Sequence, residues 1–378
     1  MRARLLLAFL AVLVSTPRAQ DTERTDPERL RMQVERALEV PPRNYERLRA
    51  PRQAGVRVLS VDLRDSASTR IITVDLSQRA LTYEPSGHIE PLLDAIIQAT
   101  AMAIGPKELV EYKFTIEGLP IDRFLPRAAR LSREAQSVEA GGVVLVSPGH
   151  GLYWDDTLAS WHLQRPRIRG IVEDLVNWDI ARYLRDELLA RNVNTQMARY
   201  AEADESAGPS GSARWQEAAK YFIQALGAPV DIWNFGVDDY ARDINARPFY
   251  ANWIDAAALI SVHNNAGVQT GTETWYDATN GLEDESARLA QGINMRVVSA
   301  IRQRYNAHWI DRGLRLCNGC KGENRLATRP SVIVEIAYMD TTTPDNDALH
   351  DDAFKHIVAE AIADGIRDWA NAADDGRR

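Results

Sequence analysis

Apolar residues change their rhythm along this chain. Between residues 53 and 125 they alternate with polar ones. Val56–Leu63 reads VRVLSVDL, Arg70–Leu76 reads RIITVDL and Glu111–Ile116 reads EYKFTI, each the period-two pattern of a strand with one covered face. Between the last two, His88–Met102 sets Leu92, Leu93, Ile96 and Ile97 at helical spacing. The spacing predicts a small β-β-α-β unit over 53–125, with Glu117-Gly118 as a turn. From residue 141 alternation disappears. Gly142–Ser147, Ala257–Val262 and Ser331–Glu335 are short, nearly continuous apolar runs, and long amphipathic stretches follow them at 173–191, about 286–305 and 353–371. Strands apolar on both faces, separated by helices, predict an α/β fold: a mixed, mostly parallel sheet with helices on both faces, preceded by the small α+β unit.

The segments between these patterns are polar. Residues 20–52 are charged and proline-containing and read as a linker or short helix with no periodic core face. Residues 126–140 read as a second linker, leaving 141–378 as the larger domain. Within it, residues 200–250 break the strand–helix rhythm with an acidic, glycine-rich patch (AEADESAGPSGSA), a helical stretch and an aromatic-laced run. A connection of that length predicts a lid, a binding loop or a regulatory insert. At the other end, Arg2 and Arg4 precede an apolar run from Leu5 to Val14 and then a polar stretch. This is the three-part layout of a signal peptide over residues 1–19. The run is too short for the roughly 20 residues that span a bilayer. The expectation is an exported protein, in the periplasm or outside the cell, peripheral at most to a membrane.

Charge and cysteine content narrow the function. The 378 residues carry 53 acidic and 45 basic side chains, a net charge of −8, with no basic cluster. Nucleic acid is therefore not an expected partner. Cys317 and Cys320 are the two cysteines, in LCNGCKG. A four-cysteine zinc knuckle needs a second pair. In an exported chain the plain reading is a local disulfide, with free thiols or redox chemistry as the alternative.

Four residues stand out by position. His150 follows the strand 142–147, Glu173 opens the next helix, His263 follows the strand ALISV, and Glu335 ends SVIVE. In a parallel α/β sheet such positions gather at the carboxyl ends of the strands, where these folds bind ligands. Two imidazoles and a carboxylate suit zinc and leave a position open. Each also has a plainer reading, as a surface histidine or as a helix-start glutamate complementing the dipole. Glu335 inside VIVEIAYM resists that, since a buried carboxylate needs a partner or a role.

Four motifs in order then carry a resemblance. They are Pro148-Gly149-His150-Gly151, the helix EDLVNWDIARYLRDELLARN, LISVHNNAG preceded by Arg247 and Asn252 in ARPFYAN, and PSVIVEIAYMD followed by PDNDAL. Block 142–378 resembles the zinc-dependent N-acetylmuramoyl-L-alanine amidases of the Amidase_3 type. The resemblance implies zinc ligands His150, Glu173 and His263, Glu335 as general base, and peptidoglycan as substrate. Some members of that family carry a helix that blocks the site until a partner protein moves it, which makes a protein activator of the 200–250 insert an expectation here. The stretch 53–125 resembles the GerMN-type domain of exported bacterial proteins, through VDLSQ before its helix and FTIEGLPID after it.

Substrate contacts are read more loosely. Arg247 is either a salt bridge within the fold or a contact to a substrate carboxylate. Asn264, Asn265 and Asp174 adjoin the ligands as candidate orienting groups, and Asn264 and Asn265 are also candidate substrate contacts. Trp154, Trp161, Trp233 and Trp275 are candidate walls of a glycan groove. His162 is a spare ligand candidate, and His88, His308, His350 and His356 read as surface or packing residues. Two rival functions stay open. A carboxypeptidase-type zinc peptidase would place its glutamate in HxxE, but position 153 is Tyr. A non-catalytic peptidoglycan-binding or activator protein would have no need of all four residues.

Overall fold

The computed structural model describes residues 26–41, 49–83, 89–126 and 142–375. The signal-peptide segment, the 126–140 linker beyond residue 126, and His88 lie outside the described residues.

The first helix, α1 (Pro27–Glu39), starts where Asp26 accepts a hydrogen bond from the Glu28 amide and Pro27 occupies the first turn. Contrary to the expectation of no core face, Leu30, Val34, Ala37 and Leu38 are buried on one side of it. Their spacing is helical, but charged neighbours dilute the signal. The helix packs on α2 (Glu90–Ile104) and shares a core with β1 (Val58–Asp65), β2 (Thr69–Leu76) and β3 (Leu109–Ile116). In β2 and β3 every second residue is buried, as their alternation predicts. Glu117 and Gly118, both at positive φ, turn β3 back into the two-residue β4 (Leu119–Pro120).

The larger block supplies β5 (Val144–Pro148), the hairpin β6 (Leu152–Asp155) and β7 (Ser160–Leu163), α3 (Glu173–Ala190) and β8 (Thr195–Met197). It continues through α4 (Ala219–Ala225), α5 (Val230–Trp233), α6 (Asp239–Trp253), β9 (Ala258–Asn265), β10 (Thr272–Asp277) and α7 (Glu283–Arg304). It ends with β11 (Asp311–Cys317), α8 (Gly322–Arg325), β12 (Ser331–Tyr338), α9 (Asp347–Leu349) and α10 (Asp352–Asp375). Strand order is β1-β2-β3-β11-β10-β12-β9-β5-β8 in one sheet, parallel except at β1/β2, at β10/β12 and where β4 turns back on β3. Helices α3, α7 and α10 cover one face through a core that includes Leu184, Ile293 and Ile362.

The strands of 53–125 and of the larger block thus form a single sheet, joined where β3 lies parallel to β11. Gly313 permits that approach. Its φ is +77°, and a Cβ there would sit 2.1 Å from the Lys107 carbonyl oxygen. Trp275 stacks on Tyr112 across the junction at 5.8 Å. Cys317 and Cys320 are joined by a disulfide that closes the loop after β11. Among the described residues, no helix is long and apolar enough to cross a membrane.

Candidate metal centre

Strand register assembles the site. Glu335 lies opposite His263 across β12/β9, and Pro148 lies opposite Val262 across β9/β5. His150 therefore leaves β5 beside the end of β9, and Glu173 enters from the first residue of α3. The backbone between is tight. A Cβ on Gly149 would fall 2.3 Å from the His263 ring, so only glycine fits there. His150 itself has φ +65°, a conformation most residues avoid and one found at functional positions. Arg199, fully buried, holds this turn by donating to the carbonyls of His150 (3.2 Å) and Asp174 (2.8 Å).

His150, Glu173 and His263 are all buried, and their ligand atoms lie within 4.8 Å of one another. Glu173 Oε1 is 3.2 Å from His150 Nε2 and 3.3 Å from His263 Nδ1. The far nitrogen of each ring has its own partner. His150 Nδ1 is 2.9 Å from Gln164 Oε1, and His263 Nε2 is 3.1 Å from Glu323 Oε1. Both contacts require the far nitrogen to donate, which turns the near nitrogen of each ring inward, as a ligand lone pair whenever that ring is neutral. Gln164 Nε2 donates to Asp243 at 2.8 Å. Arg247 donates to Asp243 and, at 2.5 Å, to Glu323. The orienting groups thus form one chain, His150–Gln164–Asp243–Arg247–Glu323–His263, hinged on a single guanidinium. Ser261 Oγ holds the other Glu323 oxygen at 2.5 Å.

Electrostatics follow burial and these pairs. Burial and the Arg165 charge push His150 down to about 4, keeping it neutral. His263 is held up at about 9 because Glu323 and Glu173 outweigh its burial. Glu335 sits at about 8, raised by burial and by the charge of Glu173, while His263 and Lys321 pull the other way. Glu335 Oε2 is buried without a hydrogen-bond partner among the described residues. It faces the same cleft as the three ligand candidates, a space of about 80 Å³.

The substrate candidates fall out unevenly. Arg247 has no exposed surface and both its acids are internal, so the fold reading replaces the substrate-contact reading. Trp275 is 2% exposed. Its indole nitrogen donates to Glu273 and its ring carries the Lys321 ammonium at 5.1 Å, so it lines the cleft from within the core rather than as an open platform. Asn264 is buried; its amide nitrogen donates to Glu173 and its side chain to Asn177. Asn265 lines the cleft and donates to Glu273 at 3.0 Å. Asp174 accepts from the amides of Gly151, Gln164 and Arg165, fixing the loop that carries Gln164. Trp154 and Trp161 meet edge to face at 6.0 Å on the β6–β7 hairpin, outside the cleft lining. His162 bonds to Ser160. His308, His350 and His356 are exposed. Of residues 200–250, Tyr240 and Ile244 on α6 line the cleft. The remaining wall is α2, through Glu90, Asp94, Ile97 and Gln98.

Gln164, Asp243, Glu323 and Lys321 escaped the sequence reading. One signal pointed to two of them: a buried arginine between motifs requires acids to pair with.

The profile of the N-acetylmuramoyl-L-alanine amidases (Amidase_3) matches residues 144–368, which include all four candidate residues. This chain belongs to that family. Solved structures with similarity include the amidase AmiC2 of Nostoc punctiforme, 20% identical over 61% of this chain and 98% of that one, with a TM-score of 0.41. Ami1 from Mycobacterium smegmatis is 18% identical over 63% of this chain and 100% of that one, with a TM-score of 0.44. An amidase from Clostridium difficile 630 is 21% identical over 61% and 97%, with a TM-score of 0.41. At these values the likeness adds nothing to the family match. A search of curated proteins returns no match. Amidases of this family hydrolyse peptidoglycan, and the chain is an enzyme of that class.

Proposed function

We propose that this amidase is exported and zinc-dependent, with His150, Glu173 and His263 as metal ligands and Glu335 as general base. One observation supports the reading: three side chains of zinc-binding type converge beside a buried carboxylate whose Oε2 has no hydrogen-bond partner among the described residues. The donor set fits the ion, since the far nitrogens of two imidazoles are tied to Gln164 and Glu323, their near nitrogens face the carboxylate of Glu173, and that carboxylate balances charge. Bound there, zinc supplies Lewis acidity toward the scissile carbonyl and toward water.

The chain's own residues do the rest. Glu335 takes a proton from the attacking water and passes it to the nitrogen that leaves. The C–N bond between the lactyl carbonyl of N-acetylmuramic acid and L-alanine breaks. Hydroxyl stays on the acyl carbon, and the peptide departs with a free amine. Arg247, through Asp243 and Glu323, keeps both histidine rings aimed throughout. The signal-peptide pattern of residues 1–19 and the substrate both support a location outside the inner membrane. A protein activator of the 200–250 segment would act through α6, the part of that segment that reaches the cleft.

The test is Glu335→Gln. It should retain stoichiometric zinc and lose hydrolysis of purified peptidoglycan by at least about 100-fold. His263→Ala should lose both. Unchanged turnover in Glu335→Gln would remove the base assignment.

A further inference from the structure

The cleft at the metal centre holds little beyond a scissile bond. A second hollow of about 410 Å³ opens beside it and shares Asp94, Gln98, Arg165 and Ala266 with its lining. One wall is α1 and α2; the other is the loop through Arg165 and the loop through Ala266. We propose that this groove is the subsite for the stem peptide, so that the helices outside the family-matched residues read the peptide side of the substrate. The proposal rests on the amidase reading and deepens it.

Three features favour a peptide of alanines and acidic residues. First, the groove adjoins the cleft and shares four lining residues with it, beside the place where the peptide's first amide must lie. Second, its lining is small and apolar at Ala37, Ala95, Ala99 and Ala266, a fit for methyl side chains, and it includes no aromatic ring on which a sugar could stack. Third, its charges suit carboxylates. Arg165 stands at the shared mouth with Nε 3.5 Å from Glu173 and one terminal nitrogen on Tyr240, while its other terminal nitrogen makes no hydrogen bond among the described residues. Arg36, exposed on α1, lines the far part. A guanidinium nitrogen left over from such contacts is a donor for a carboxylate. The acid in the lining, Asp94, is already taken by Lys321 at 2.6 Å.

Binding and turnover test this separately. The Glu335→Gln protein is titrated calorimetrically with a free stem tripeptide beginning in L-alanine, and again with Ala95→Trp or Arg36→Ala added. Ala95→Trp should weaken binding more than about tenfold by filling the groove, and Arg36→Ala about threefold, as an exposed charge pair does. In the active enzyme both changes should raise KM for a muramyl tripeptide and leave turnover of muramyl-L-alanine unchanged. Arg36 is exposed, so its removal leaves the fold intact and keeps the test decisive should Ala95→Trp misfold. Wild-type affinity for the tripeptide in both variants overturns the proposal. So does displacement of the tripeptide by a peptide-free glycan. If no muramyl substrate is cleaved, the amidase reading fails, and the calorimetric arm still decides the groove.

Discussion

Arg247 shows what one residue can hold in place. Its guanidinium spans Asp243 and Glu323, and through them the outer nitrogen of each histidine ring. Lysine has no fork and cannot satisfy both acids. Arg247→Lys should therefore lower zinc affinity by roughly 10- to 100-fold, the usual cost of disturbing groups behind the ligands. Competition with a chelator measures it. Arg247→Met leaves two buried carboxylates without a cation and should destabilise the fold by about 3–5 kcal/mol in denaturant titration. At this scale the sequence was legible for the residues that converge in the cleft and silent about those behind them. The apolar pattern marks His150 just after β5 and Glu173 at the start of α3, and it places His263 and Glu335 by the apolar runs that precede them, although β9 and β12 continue past both residues. Gln164 follows β7 and Glu323 lies in the single-turn helix α8, both in polar stretches where nothing local separates them from their neighbours, and only tertiary closure brings them to the imidazoles.

The elements divide in the same way. Runs such as SVIVE announce strands because both their faces are covered. Strands β10 and β11 do not announce themselves. They read TETWYD and DRGLRLC, where charges interrupt the apolar pattern. Those charges neutralise one another inside the sheet. Glu273 on β10 is paired with Arg312 (3.0 Å) and Arg315 (3.1 Å) on β11, and also accepts from Asn265 and Trp275. Burial alone would raise its carboxyl; the two arginines win and hold it at about 2. A carboxyl depressed in the fold stabilises it above the unfolded pKa, near 4.5, and that contribution is lost as pH falls from there towards about 2. The span amounts to on the order of 3 kcal/mol. Unfolding free energy of the wild type should fall across that window. Glu273→Gln should start lower and show a flatter profile there, and parallel profiles would refute the account.

For the whole molecule, the sequence suggested two bodies joined by a linker, whereas the strands run edge to edge in a single sheet. The physical reason is that β-pairing through β3 and β11 is backbone chemistry and leaves no mark in side-chain composition. A shared sheet with Trp275 packed on Tyr112 should unfold as one unit. Calorimetry of the full chain should give a single transition, with Trp275→Ala lowering its midpoint at a cost of about 3–5 kcal/mol; two resolved transitions would contradict this. The same geometry explains why α2 stands at the mouth of the candidate metal cleft. A helix borne on a neighbouring strand is held there by the sheet itself, and the Asp94–Lys321 pair only trims its position.

The junction at β3 and β11 bears on any attempt to shorten this protein. Trimming to the family-matched residues would strip β11 of its neighbour and leave a row of unsatisfied amides and carbonyls facing solvent, with Leu314 and Leu316 beside them. Such a fragment should self-associate through that raw border. Light scattering would find it aggregated at concentrations where the full chain stays dispersed. The amino-terminal strands therefore act, before any role in recognition, as the selvedge that keeps the catalytic sheet from fraying into its neighbours.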